Sequence, residues 1–152
     1  MIKTQDFTIV IDSREQTPFT FQNIKPDLPS TIIKGLKTGD YSIVGFENYI
    51  CVERKSMADL FGSVGKGRAR FEREMQRMSE FEYAALVVES DIQTWFMNPP
   101  GRSTMNPKSV FRTVVAWSQR YDVCVWPMWN RQAAEKITYL ILKRFYDDFI
   151  KK

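Results

Sequence analysis

Gly39-Asp40-Tyr41-Ser42-Ile43-Val44-Gly45-Phe46-Glu47-Asn48-Tyr49-Ile50-Cys51-Val52-Glu53-Arg54-Lys55 is the stretch on which the reading of this chain turns. Asp40 to Val44 predicts a strand, Gly45 to Asn48 a hairpin turn, and Tyr49 to Lys55 a second strand. Side chains alternate faces along a strand, so Glu53 and Lys55 share a face with Cys51 and Tyr49. Val52 and Arg54 point the other way. The turn brings Asp40, at the start of the first strand, beside the end of the second. Asp40, Glu53 and Lys55 can therefore converge at one edge of a sheet.

Outward from the hairpin, the chain alternates strands and helices. Phe7 to Ile11 reads as a strand ending in the charged loop Asp12-Ser13-Arg14-Glu15. Gln16 to Pro29 contains Pro18, Pro26 and Pro29 and reads as an irregular connection. Ser30 is expected to cap a short helix through Leu36, ended by Gly39. Ser56 opens a helix that Gly62 to Gly67 interrupts, and Arg68 to Phe81 resumes it, with Phe71, Met75 and Met78 at helical spacing. Tyr83 to Val88 is a continuous apolar run, which predicts a central buried strand. Asp91 to Pro107 reads as irregular, Lys108 to Arg120 as helix, and Asp122 to Trp126 as another buried strand. Asn130 caps a final helix reaching about Ile150. This order implies an α/β fold with a central mixed β-sheet flanked by helices, in a single domain over residues 1–152.

Composition narrows the chemistry. With 43% hydrophobic and 26% charged residues, the 152-residue chain has the make-up of a globular domain. Its net charge of +4 permits a nucleic-acid partner without requiring one. There is no histidine, which excludes Ser-His-Asp triads, Cys-His dyads and two-Cys-two-His zinc fingers. An enzyme built from this chain works with carboxylates, Lys, Arg, Tyr or Ser. Cys51 and Cys124 lie in apolar runs and are expected to be buried free thiols, as in a reducing compartment. No run approaches the ~18 apolar residues of a membrane helix, and Met1 to Asp6 lacks a signal-peptide core. The expectation is a cytoplasmic protein with no membrane partner.

The trio at the hairpin has a definite chemical use. Two neighbouring carboxylates repel each other unless a cation lies between them. Mg2+ accepts carboxylate oxygens, waters and phosphate oxygens. A lysine beside it can hold the attacking water and neutralise phosphate charge. Taken alone, Asp40, Glu53 and Lys55 could equally form a surface hairpin with ion pairs.

The longer pattern is more specific. Gly39-Asp40, a hairpin, Glu53-Arg54-Lys55, three residues and then Asp59 resembles the signature of the XPF-type (xeroderma pigmentosum group F) structure-specific endonucleases. Asp12-Ser13-Arg14-Glu15 resembles that family's Asp-x-Arg-Glu element. Gly67-Arg68-Ala69-Arg70-Phe71 and Val87-Val88-Glu89 fit its later blocks, and the likeness runs from about Ile9 to Lys143. The resemblance implies a restriction-endonuclease-like core and a DNA endonuclease of repair or recombination. Such an enzyme cuts branched or structured DNA (fork, flap or junction) and leaves a 5′-phosphate. By the same resemblance, Asp40 and Glu53 hold Mg2+ or Mn2+ with the Arg54 carbonyl, and Lys55 orients the water. Relatives often carry Gln where this chain has Glu74. The chain has no tandem helix-hairpin-helix module up to Lys152, which suggests the minimal phage or prokaryotic branch. A competing reading is a non-catalytic DNA-binding or dimerisation scaffold of the same fold.

Other residues carry paired expectations. Arg54 either serves the site or forms an ion pair with Asp40, Asp59 or Asp12. Asp59 is either a site residue or a first-turn acid favoured by the helix dipole. Arg14 and Glu15 either cap a loop or, with Asp12, help position a second metal or the water. Lys66, Arg68 and Arg70 form a phosphate clamp at a helix N-terminus or a solvated basic face. Gly62 to Gly67 is not a P-loop, because Lys66 is followed by Gly67. Trp95, Phe96 and Met97 could stack on unpaired bases or form a lid. Trp126, Met128 and Trp129 are expected in the core. The last helix has apolar residues on more than one face, which with the aromatic cluster before it suggests a homodimer.

Overall fold

The computed structural model describes residues 6–90 and 103–152. Six strands, β1 (Thr8–Asp12), β2 (Ser30–Lys34), β3 (Tyr41–Ile43), β4 (Ile50–Ser56), β5 (Tyr83–Glu89) and β6 (Cys124–Met128), form one sheet in the order β2-β1-β3-β4-β5-β6. The helices are α1 (Met57–Val64), α2 (Arg68–Met78), α3 (Pro107–Tyr121) and α4 (Arg131–Ile150). β1 pairs with β3 and β3 with β4 antiparallel, whereas β1–β2, β4–β5 and β5–β6 are parallel. The sheet is mixed, as expected. Trp95, Phe96 and Met97 lie outside the described residues.

The alternation along β4 sorts its residues between two cores. Cys51 packs with Leu60, Phe61, Phe71, Met75 and Trp117 under α1, α2 and α3. Ile50 and Val52 pack with Tyr41, Ala85, Ala134, Leu142 and Tyr146 under α4. Asn130 caps α4 as expected, its Oδ1 accepting the Ala133 N–H at 2.7 Å. Among the described residues no helix is long and apolar enough to cross a membrane.

Three expectations need correction. Ser30 to Lys34 is a strand, not a helix, running parallel to β1 with Thr8 opposite Ser30 and Asp12 opposite Lys34. Thr31, Ile32 and Ile33 are β-branched, and the long Gln16–Pro29 connection supplies the crossover a parallel pair needs. All five β2 residues are exposed, so no buried face distinguished strand from helix in the sequence. Cys51 is buried, but Cys124 is exposed because β6 is an edge strand. Trp126 and Trp129 also leave the core: Trp129, in the turn before α4, is 69% exposed.

Candidate active site

The hairpin opens onto a cleft of about 720 Å³. Its walls are the loop after β1, the β2–β3 connection, the end of β4, and one face of α1 and α2. Asp12, Arg14, Glu15, Asp40, Glu53, Arg54, Lys55, Asp59 and Arg70 all line it. Of the eleven residues singled out in the sequence, only Lys66 and Arg68 do not. Lys66 is exposed. Arg68 turns away, donating to Thr113 Oγ1 at 3.2 Å and lying 4.9 Å from the Trp117 ring.

The backbone explains how Asp40 and Glu53 meet. Tyr41 pairs with Val52, and the Asp40 N–H donates to the Val52 carbonyl at 2.9 Å. The ladder would next join Arg54 to residue 39, but Gly39 turns away at φ +82°. A Cβ there would stand 2.9 Å from the Cys51 Cβ. The freed Arg54 N–H finds the Asp40 carboxylate instead, donating to Oδ2 at 2.8 Å. The Asp40 and Glu53 carboxyl groups then come close enough to perturb each other. Lys55 Nζ donates to Glu53 Oε1 at 3.3 Å and lies 4.8 Å from the Phe71 ring centroid. All three side chains converge, as the alternation implied.

The Arg54 guanidinium does not reach Asp40, Asp59 or Asp12. Its Nε and Nη2 grip Glu15 at 3.2 and 3.0 Å, and its Nη1 donates to Glu89 at 2.9 Å. Its side chain is only 8% exposed. Its charge therefore belongs to the scaffold, while its amide serves the site. Both oxygens of Asp12 are engaged, one by the Leu36 N–H at 2.9 Å and one by Arg14 Nε at 3.1 Å. Asp59 lines the cleft, and its N–H meets the Ser56 Oγ cap at 3.1 Å, so it is also a first-turn residue.

Electrostatics marks the pair. Burial raises the Asp40 carboxyl from 3.8 to about 6 against the Arg54 hydrogen bond, and the Glu15 charge adds to the rise. Burial pushes Glu53 well above the ordinary carboxylate range, and the nearby Asp40 and Glu74 add to it. Lys55 opposes that shift without cancelling it. Arg54 is held in its charged form because Glu15 and Glu89 outweigh its own burial.

Such a donor set suits a hard divalent cation. Among the described residues no three His, Cys, Asp or Glu side chains gather as a complete metal cage. Mg2+ does not need one, since it keeps several waters and binds through one or two carboxylates plus substrate oxygens. Asp40 and Glu53 are the two carboxylates here that could fill that role, and Lys55 opposes the charge repulsion on Glu53.

Two cleft residues were missed in the sequence, Lys37 and Arg77, and Glu74, noted there only as a departure from the family pattern, lines the cleft as well. Arg70, Glu74 and Arg77 form one face of α2, beside the face of buried Phe71, Met75 and Met78. The spacing was readable; what it faced was not.

Strand order and flanking helices together define a restriction-endonuclease-like α/β core. Its fold matches XPF from Aeropyrum pernix at a TM-score of 0.67 and 22% identity, over 88% of this chain and 60% of that one. It matches XPF from Aeropyrum pernix in complex with DNA at 0.67 and 20%, over 93% of this chain and 66% of that one. The chain thus spans about two thirds or less of the length of these structures. The ERCC4 domain pattern matches residues 11–141, and the chain belongs to the ERCC4 domain family. No curated protein matches it by sequence.

The raised Asp40 carboxyl has a consequence for stability. Between pH 3.8 and about 6 the folded chain holds a proton that the unfolded chain has lost. Stability from this group is therefore present at low pH and lost as pH rises through that window. In EDTA, the Asp40→Asn variant should gain Tm relative to the parent as pH goes from 4 to 7. A constant difference across that range would contradict the assignment.

Proposed function

We propose that this protein is a Mg2+- or Mn2+-dependent DNA endonuclease acting on branched or structured DNA and leaving a 5′-phosphate. The observation that supports it is the meeting of Asp40, Glu53 and Lys55 on the floor of one open cleft. The Aeropyrum pernix relative solved with DNA supports the choice of polymer.

In this reading Asp40 and Glu53 hold the cation, with the Arg54 carbonyl as a third oxygen. The chemistry such a cation would supply there is polarisation of the scissile phosphate and a lowered pKa for a water. Lys55, held by Glu53 and Phe71, orients that water and neutralises charge developing on the phosphate. Arg54 fixes Asp40 through its amide. Among the described residues Lys37, Arg70 and Arg77 line the cleft with no ion pair or side-chain hydrogen bond, which leaves them free for the phosphate backbone. A non-catalytic scaffold would have no use for the buried, mutually repelling pair, so the trio favours the enzyme.

The test is nicking of labelled forked, flap and junction DNA with Mg2+ or Mn2+. Asp40→Asn, Glu53→Gln and Lys55→Ala should each lower the single-turnover rate by ~10²-fold or more, as for loss of one oxyanion donor. Wild-type rates in Glu53→Gln would sink the enzyme reading.

We further propose a homodimer built through α4 and the turn before it, where Trp129, Leu140 and Ile150 are exposed. Phe149 is a poorer probe, since its ring packs on Phe46 at 4.7 Å. Light scattering at micromolar concentration should give twice the monomer mass, and Ile150→Glu should lower it. A monomer mass with and without DNA would contradict it.

A further inference from the structure

We infer that Arg131, the first residue of α4, is a positioning residue for the cleft, acting by closing the cage that holds Arg54. This rests on the nuclease reading above. Arg131 does not line the cleft itself. It shares three partners with Arg54. Its Nη1 donates at 3.0 Å to Glu89 Oε1, the oxygen that also accepts from Arg54 Nη1 at 2.9 Å. Its Nη2 donates to the Thr17 carbonyl at 2.6 Å, and the Thr17 hydroxyl accepts from Arg54 Nη2 at 2.8 Å. Both guanidinium groups lie over the buried Phe19 ring, Arg131 at 4.8 Å and Arg54 at 5.8 Å from its centroid.

The arrangement ties together the loop after β1, the end of β5 and the start of α4. Glu89 and Glu15 supply two negative charges against the two guanidinium charges, so the cage is balanced. Arg131 is 45% exposed at its side chain, so solvent screens its direct contribution to stability. Its geometric contribution is different in kind. It fixes which way the Glu89 carboxylate and the Thr17 backbone point, and Glu89 and the hydroxyl that Thr17 carries are two of the three groups that hold the Arg54 head. Arg54 carries the consequence to the site, because its own N–H fixes Asp40 Oδ2. Small misplacements of reacting groups cost rate steeply. DNA affinity should not follow, since Arg131 stands outside the cleft.

The experiment follows the Arg54 Nε–H by NMR in protein with 15N-labelled arginine, beside single-turnover cleavage and DNA binding. In Arg131→Ala, exchange of the Arg54 Nε–H with solvent should accelerate roughly tenfold, and cleavage should slow roughly tenfold, with DNA affinity within about twofold. Arg131→Lys, which can still reach Glu89, should recover part of both effects; it also serves if Arg131→Ala does not fold. Unchanged Arg54 exchange and unchanged cleavage would overturn the inference. So would a fall in DNA affinity with unchanged exchange, which would make Arg131 a DNA contact. If the wild type cuts no DNA, the nuclease reading fails, while the exchange comparison still decides whether Arg131 holds Arg54.

Discussion

Asp40 and Glu53 are two neighbouring carboxyl groups that burial would rather keep uncharged. Glu53 is 7% exposed, so little solvent reaches it. Two like charges in such a place destabilise the fold unless something opposes them. Much of the surrounding structure can be understood as what keeps them there. Gly39 turns the chain out of the β3–β4 ladder at φ +82°, which frees the Arg54 N–H for Asp40. Lys55 lies against Glu53. The Arg54 side chain is spent on Glu15 and Glu89, so its charge does not relieve the pair. What remains is a site with an electrostatic deficit that a divalent cation would fill.

The legible part of this fold came from period-two alternation. Along β4 it assigned Cys51, Glu53 and Lys55 to one face and Val52 and Arg54 to the other, and the two cores divide the same way. β2 was misread because alternation is informative only where one face is buried, and β2 is exposed throughout. Ser30 before an apolar pair imitates a helix start.

Within the site, residues close in sequence were readable and distant partners were not. Arg54 meets Glu15 and Glu89 across separations of 39 and 35 residues, which no local pattern encodes. Lys37 and Arg77 border the cleft because of how β2 and α2 pack, and both look like ordinary surface cations in the sequence. Glu74 stood out only as a departure from a family pattern, yet it lies close enough to raise Glu53 further. Trp129 and Cys124 were assigned to the core from apolar neighbours, whereas an edge strand and the turn after it expose both.

The central claim is that the buried carboxyl pair exists to hold a cation. Anomalous diffraction from a crystal grown with Mn2+ near neutral pH tests it most directly. The account predicts a manganese peak bonded by both Asp40 and Glu53. A structure in which manganese is absent from these two carboxylates, or bound elsewhere, would contradict it.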